Sequence, residues 1–329
     1  MKYLVTGGAG FIGSHLVDEL LAGGHSVTVL DNFSNGSSEN LPDPSKVSAL
    51  TILRGDITDP DTCREATSGM DGIFHLACLG VRHSFHSPVE NHQVNALGTL
   101  YLLQAARAAE IPKFLYMSTS EIYGRARDFP ITEDTTPWPL TVYGSSKLAG
   151  EHYARSFFEC YQLPVLCLRC FNNYGPRAHF EGDSGEVIPR FILRLLAGEP
   201  PQIFGDGSHT RDFLYVKDAA RMLRNLMEDH PFAGEVFNFG YGREISILEL
   251  ARALIRIADR EDIEPEFLEP RPADVPRLWV DTSRLLRHLT IEGLRPFSDG
   301  LKPTFAYYRD RFQEDPTIIE RIVTRNWQS

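Results

Sequence analysis

No stretch of the chain stays apolar for the roughly 20 residues that a membrane-crossing helix takes. The opening "MKYLVTGG" runs straight into an apolar segment and a glycine turn, without the layout of a secretion leader. A cytoplasmic location and no membrane partner are therefore expected. Basic residues are in the minority: 33 Lys and Arg stand against 44 Asp and Glu, a net charge of −11. That balance argues against a nucleic-acid partner, because phosphate backbones bind a basic face. A small anionic ligand, which needs only a few local cations, stays allowed. Cysteine is scarce, five in 329 residues, in keeping with a reducing compartment. Cys167 and Cys170 form a CxxC in "LPVLCLRCFN", but that segment reads as a strand. Positions three apart in a strand point to opposite faces about 10 Å apart, so no redox pair is expected. His83 and His86 in "HSFH" lack a third ligand, and no metal is expected.

What the chain does have is alternation. Apolar runs "KYLVTGG", "SVTVLDN", "ALTILRGDI", "GIFHLAC", "KFLYMSTS" and "PVLCLRC" are separated by helical stretches near 14–22, 95–109 and 144–160. Such alternation predicts βαβ units, hence an α/β fold with a Rossmann-type, doubly wound parallel sheet. After Asn172 the texture turns to loops rich in Gly, Pro and charge, with helices near 187–197 and 246–258. "TRDFLYVKDAARMLRNLM" and "EVFNFG" read as a strand, a helix and a strand returning to the first sheet. The expected division is residues 1–171 plus 213–241 for a dinucleotide-binding domain, and 172–212 plus 242–329 for a smaller mixed α/β substrate domain.

"VTGGAGFIG" places Gly7, Gly10 and Gly13 between the first strand and the first helix. Glycine lets the backbone approach a pyrophosphate, and the helix N-terminus offers amides and positive dipole. Asp31, after the second strand, is placed to bind ribose hydroxyls; its charge repels a 2′-phosphate and favours NAD over NADP. A strand-capping aspartate is the competing reading. Asp56 and Ile57 in "GDI" either edge the adenine or form an ordinary turn. "TVYGSSKLAGE" puts Tyr143 and Lys147 four apart on one helix face. An ammonium beside a phenol favours the phenolate, which predicts a Tyr143 pKa drawn toward neutrality and a general base.

Together with "TGGAGFIGSH", "HLA", "VNALGT", "STSEIYG", "RCFNNYGPR", "FGDGSHTRDFLYVKD" and "RPADVPR", these residues make the chain resemble extended short-chain dehydrogenases/reductases of the nucleotide-sugar epimerase/dehydratase group, over nearly its whole length. The resemblance implies NAD and a nucleoside-diphosphate sugar linked to UDP, dTDP or GDP. It also implies transient oxidation of the sugar at C4: Tyr143 takes the hydroxyl proton, Lys147 holds the nicotinamide ribose, and Thr119 bonds the same hydroxyl. Further cofactor contacts are implied at Phe11, Ile12, Asn32, Leu76, Ala77 and Ser118. Asn95 is implied to support the active-site strand and helix, with a helix cap as the alternative. Substrate contacts are implied at Asn172, Arg190, Arg211 and Arg271, the arginines as forked donors to phosphate or else in solvated ion pairs. Phe204 either stacks near the base or belongs to the core.

Within "STSEIYG", Thr119 takes the hydroxyl position, followed by Ser120 and Glu121. The resemblance places a small neutral residue at 121 in simple 4-epimerases, Asp-Glu in dTDP-glucose dehydratases, and Ser-Glu in GDP-mannose dehydratases and UDP-glucuronate decarboxylases. A carboxylate there can remove the C5 proton once C4 is a ketone, so a 4,6-dehydratase is the leading expectation. A 4-epimerase and a decarboxylase stay open, as does a non-catalytic sensor of NAD or sugar nucleotide. A uronate substrate would want an extra cation, with Arg82, Arg177 and Arg277 as candidates. Tyr101, Leu102, Leu103, Phe157, Phe158 and Tyr161 look like surplus apolar surface on two helices, and a homodimer through them is expected.

Overall fold

The structure is a computed structural model, and it describes residues 1–271, 275–289 and 293–325. Six strands come from the first 170 residues: β1 (Lys2–Thr6), β2 (Ser26–Asp31), β3 (Leu50–Arg54), β4 (Gly72–His75), β5 (Phe114–Thr119) and β6 (Val165–Cys170). After β7 (Asn172–Tyr174), β8 (Gln202–Phe204) and β9 (Thr210–Tyr215), β10 (Glu235–Phe239) closes one edge of the main sheet. The order is β10-β6-β5-β4-β1-β2-β3 with every pair parallel, the doubly wound sheet read from the alternation. Parallel strands covered on both faces need continuous apolar runs, and β4 and β5 are buried at every position. One core layer packs helices Phe11–Ala22 and Val216–Asp229 on the sheet; the other packs Pro60–Thr67, Thr99–Ala108 and Val142–Tyr161.

One expectation fails here. The "TRDFLY" strand, β9, does not return to the first sheet: it lies between β7 and β11 (Glu244–Ser246) in a separate three-stranded sheet. Its alternate residues Phe213 and Tyr215 pack into the second core with Tyr174, Leu250 and Leu301, which decides its partner. The helix after it and β10 do return. β12 (Glu266–Leu268) pairs with β8. Leu102 and Leu103 are fully buried and Phe157 nearly so, so they belong to the core and not to surplus surface. Tyr161 is exposed and lies under the Arg107 guanidinium, 3.9 Å from the ring centre.

Local chemistry sets the helix starts. Thr141 caps the Val142–Tyr161 helix by accepting from the Gly144 amide at 3.0 Å. A Cβ at Gly150 would overlap the Tyr116 hydroxyl, which donates to the Lys147 carbonyl at 2.9 Å. Glycine at 150 therefore lets this helix sit directly on β5. The Thr99–Ala108 helix is entered through a π-turn at Gln93–Gly98. No helix among the described residues is long and apolar enough to cross a membrane.

Candidate active site

A cavity of about 800 Å³ runs across the C-terminal ends of β1, β2, β4, β5 and β6, where open α/β sheets bind ligands. Gly7 has φ +69°, and a Cβ there would come within 2.8 Å of the Ala77 backbone. At Gly13 a Cβ would collide with the Gly7 carbonyl oxygen. The bare backbone thus forms a cradle at the start of the Phe11–Ala22 helix, whose first turn carries no acidic side chain to compete with an anion. Asp31 is buried and accepts from the amides of Ala9 at 2.9 Å and Phe33 at 2.8 Å. Burial raises its pKa, and the two amide bonds oppose that rise. Asn32 donates to the Asp56 carboxylate at 2.8 Å. Gly7, Gly13, Asp31, Asn32 and Asp56, with Gly10, Phe11, Ile12, Ile57, Leu76 and Ala77, line the cavity. An extended dinucleotide with a pyrophosphate and an adenosine ribose fits this donor set.

Thr119, Ser120, Glu121, Tyr143 and Lys147 are brought together at the end of β5. Burial holds the Tyr143 phenol well above its ordinary value, with Cys78 and Glu121 adding to the rise and a hydrogen bond to Thr119 opposing it. The shift is therefore upward, opposite to the expected pull toward neutrality, because desolvation of the phenolate is its largest cause. Burial also lowers the Lys147 pKa, and its ammonium lies 4.4 Å from the Tyr116 ring centre.

Beneath this corner lies a buried network. Ser118 donates to Glu151 at 2.7 Å, and Arg169 grips the same carboxylate at 2.8 Å. Arg169 also donates to the Tyr123 hydroxyl at 2.9 Å, and Tyr123 in turn to Asn238 at 2.6 Å. Ser118 thus lines the cavity but spends its hydroxyl on the network.

The remaining candidates divide. Asn172, Phe204, Arg211 and Arg271 border the cavity, with the Arg271 guanidinium 4.5 Å from the Phe204 ring centre. Arg211 donates to the carbonyls of Thr210 and Val275 at 2.8 Å each. Arg190 does not reach the cavity: it is buried and donates to the Thr324 carbonyl at 3.1 Å. Asn95 also lies behind the wall, holding both the amide and the carbonyl of Leu79 at 2.9 Å and Asn91 at 3.0 Å. Of the three spare arginines only Arg82 lines the cavity; Arg177 pairs with Asp18 at 2.8 Å and Arg277 with Glu244 at 2.7 Å. His83 and His86 engage separate carboxylates, Glu90 at 3.3 Å and Asp183 at 2.9 Å. Sequence reasoning missed Cys78, Asn173, His179, Asp183 and Glu186, all of which line the cavity. Asn173 is buried with no hydrogen bond on Oδ1; its doubling with Asn172 was the available signal.

Residues 3–240 match the NAD dependent epimerase/dehydratase family. The chain belongs to that family. Its cofactor is NAD. The chain is 37% identical to a UDP-glucose 4-epimerase of Mycolicibacterium smegmatis over 95% of this chain and all of the relative. A solved UDP-N-acetylglucosamine 4-epimerase of Methanobrevibacter ruminantium, in complex with UDP-N-acetylmuramic acid, superposes with a TM-score of 0.89 at 34% identity, covering 94% of this chain and 98% of that one. The dTDP-glucose 4,6-dehydratase DesIV of Streptomyces venezuelae, solved with NAD, gives the same TM-score at 32% identity, covering 96% and 99%. Family members therefore include both epimerases and dehydratases at similar distance from this chain.

Proposed function

We propose that the protein is a nucleotide-hexose 4,6-dehydratase that begins by oxidising the sugar at C4. The observation that carries this reading is Glu121, which lines the cavity beside Tyr143 and whose charge acts to raise the phenol's pKa. Tyr143 accepts the C4 hydroxyl proton, Thr119 hydrogen-bonds the same oxygen, and the Lys147 ammonium favours the phenolate as the proton moves. NAD supplies acceptance and later return of a hydride. Once C4 is a ketone the C5 proton is acidic; Glu121 removes it and returns a proton to the departing C6 hydroxyl.

Asn172, Arg211, Arg271 and Phe204 hold the nucleoside diphosphate in this reading, with NAD on residues 1–171 plus 216–241 and substrate on 172–215 plus 242–329, the boundary moved so that β9 stays with its own sheet. A homodimer through the Thr99–Ala108 and Val142–Tyr161 helices belongs to the same proposal. A 4-epimerase is the second reading, favoured by the 37% identity to the Mycolicibacterium enzyme. Turnover of UDP-, dTDP- and GDP-hexoses and of UDP-glucuronate in deuterated water tests the choice. Dehydration yields a product lighter by water, with deuterium at C5 and the former C4 hydride at C6. An unlabelled product of unchanged mass replaces the proposal with the epimerase, and loss of carbon dioxide from a uronate replaces it with the decarboxylase.

A further inference from the structure

Between β7 and the Val187–Leu196 helix the chain makes a loop closed on itself, the Glu186 amide donating to the His179 carbonyl at 2.7 Å. The loop is fastened to the cofactor side of the cavity at three points. Arg82 donates to the Asp183 carbonyl at 3.1 Å, His86 meets the Asp183 carboxylate at 2.9 Å, and Ser184 donates to Asn35 at 3.1 Å. Asn35 stands four residues after Asp31 on the chain, and Arg82 four after Cys78, which lines the cavity with Tyr143. Four residues of chain span at most about 14 Å, so the Asn35 tie holds the loop toward the ribose end of the cavity and the Arg82 tie keeps it within reach of the catalytic corner. Phe204 and Arg211, by contrast, come from β8 and β9.

Glu186 lines the cavity here, and among the described residues no hydrogen bond holds its carboxyl oxygens. A carboxyl with lone pairs open to a cavity is a ready acceptor for a ligand hydroxyl. Burial pushes its pKa up to about 7, with His179 and Arg82 pulling it down and Glu181 pushing it further up. Burial would also raise Glu181, but His179 and backbone amides outweigh it and leave that carboxyl at about 2. Once Glu186 is ionised, this corner holds the acidic side chains of Glu181, Asp183 and Glu186 beside one guanidinium, Arg82, and the imidazoles of His86 and His179. It offers no net attraction to an anion.

We propose that Glu186 selects a neutral hexose over a uronate, its carboxylate accepting a hydrogen bond from the C6 hydroxyl of the sugar and repelling a carboxylate at that carbon. The inference rests on the nucleotide-sugar reading above and narrows its substrate class. The test uses the NAD-loaded enzyme at pH 8 and calorimetry. UDP, dTDP and GDP are titrated first, and the tightest of them fixes the pair of hexose and uronate conjugates titrated next.

The wild type favours the hexose conjugate by at least tenfold. Glu186→Gln keeps the shape and an acceptor but removes the charge, and narrows the ratio to under threefold by improving uronate binding. Unchanged affinity for the bare nucleotide reports an intact fold, and Glu186→Ala, which gives the same narrowing while weakening the hexose, covers a glutamine variant that does not fold. A uronate bound as tightly as the hexose by wild type, or a ratio unmoved in both variants, overturns the inference. If none of the three nucleotides binds, the nucleotide-sugar reading itself fails, and this inference with it.

Discussion

Replacing Glu151 by leucine probes whether the catalytic corner depends on the charge network under it. The Glu151 side chain is fully buried and that of Arg169 is 6% exposed. Burial alone would drive the proton from Arg169, but the bond and charge of Glu151 reverse this and raise its pKa. Glu151→Leu leaves that guanidinium with its two weaker acceptors, the Tyr123 hydroxyl and the Glu133 carbonyl. Breaking one side of a buried pair costs about 3–5 kcal/mol, and the orphaned Ser118 hydroxyl adds about 1 kcal/mol. A total stability of roughly 5–15 kcal/mol loses a large share. Urea unfolding at fixed NAD concentration reads the loss directly. The double variant Glu151→Leu with Arg169→Met removes both charges and recovers most of it, because only an unpaired buried charge carries the penalty. A single-variant loss below about 1 kcal/mol, or a double variant as unstable as the sum of the two single ones, refutes the argument.

Tyr143→Phe removes the proton acceptor, so turnover disappears while NAD and nucleotide affinities, read by calorimetry, stay within about twofold. In the wild type, burial holds the proton on Tyr143 and the Glu121 charge holds it harder. The rate of C4 oxidation, followed as NADH absorbance in a single turnover, therefore rises with pH, and Glu121→Gln moves that rise to lower pH. A shift to higher pH counts against contact between the two groups. Asp31→Asn removes the charge that a 2′-phosphate would meet, and NADP affinity gains about tenfold relative to NAD in the same titration; an unmoved ratio takes Asp31 off the ribose.

Local signals carried much of this architecture. The main sheet is legible because each parallel strand announces itself as an apolar run between helices, and the glycine cradle because its spacing is fixed by backbone contact. Tyr143 and Lys147 are legible because four residues on a helix is a spatial statement. Residues whose place depends on long-range packing were not legible. The strand "TRDFLY" has the same texture as a core strand of the main sheet, and only the aromatic cluster around Tyr174 claims it for the smaller one. Arg190 sits on a helix beside the cavity, yet its guanidinium reaches Thr324, 134 residues away in sequence. The Tyr143 pKa went astray for a related reason: sequence spacing reports a neighbouring charge and says nothing of lost water. His179 and Glu186 had no motif, since the loop that presents them is held by contacts to Asn35, Arg82 and His86.

The edge strand β10 has a consequence for how the chain is made. It pairs with β6, yet the roughly 65 residues between Cys170 and Glu235 include β7, β8 and β9 of the smaller sheets. At a synthesis rate of about 5–20 residues per second, the outer edge of β6 waits about 3–13 s for its partner to emerge from the ribosome. During that interval a buried strand, Val165–Cys170, presents unpaired amides and carbonyls along one side. A nascent chain that ends before Glu235 therefore carries an open sheet edge along β6, a template on which a strand of a neighbouring chain can pair.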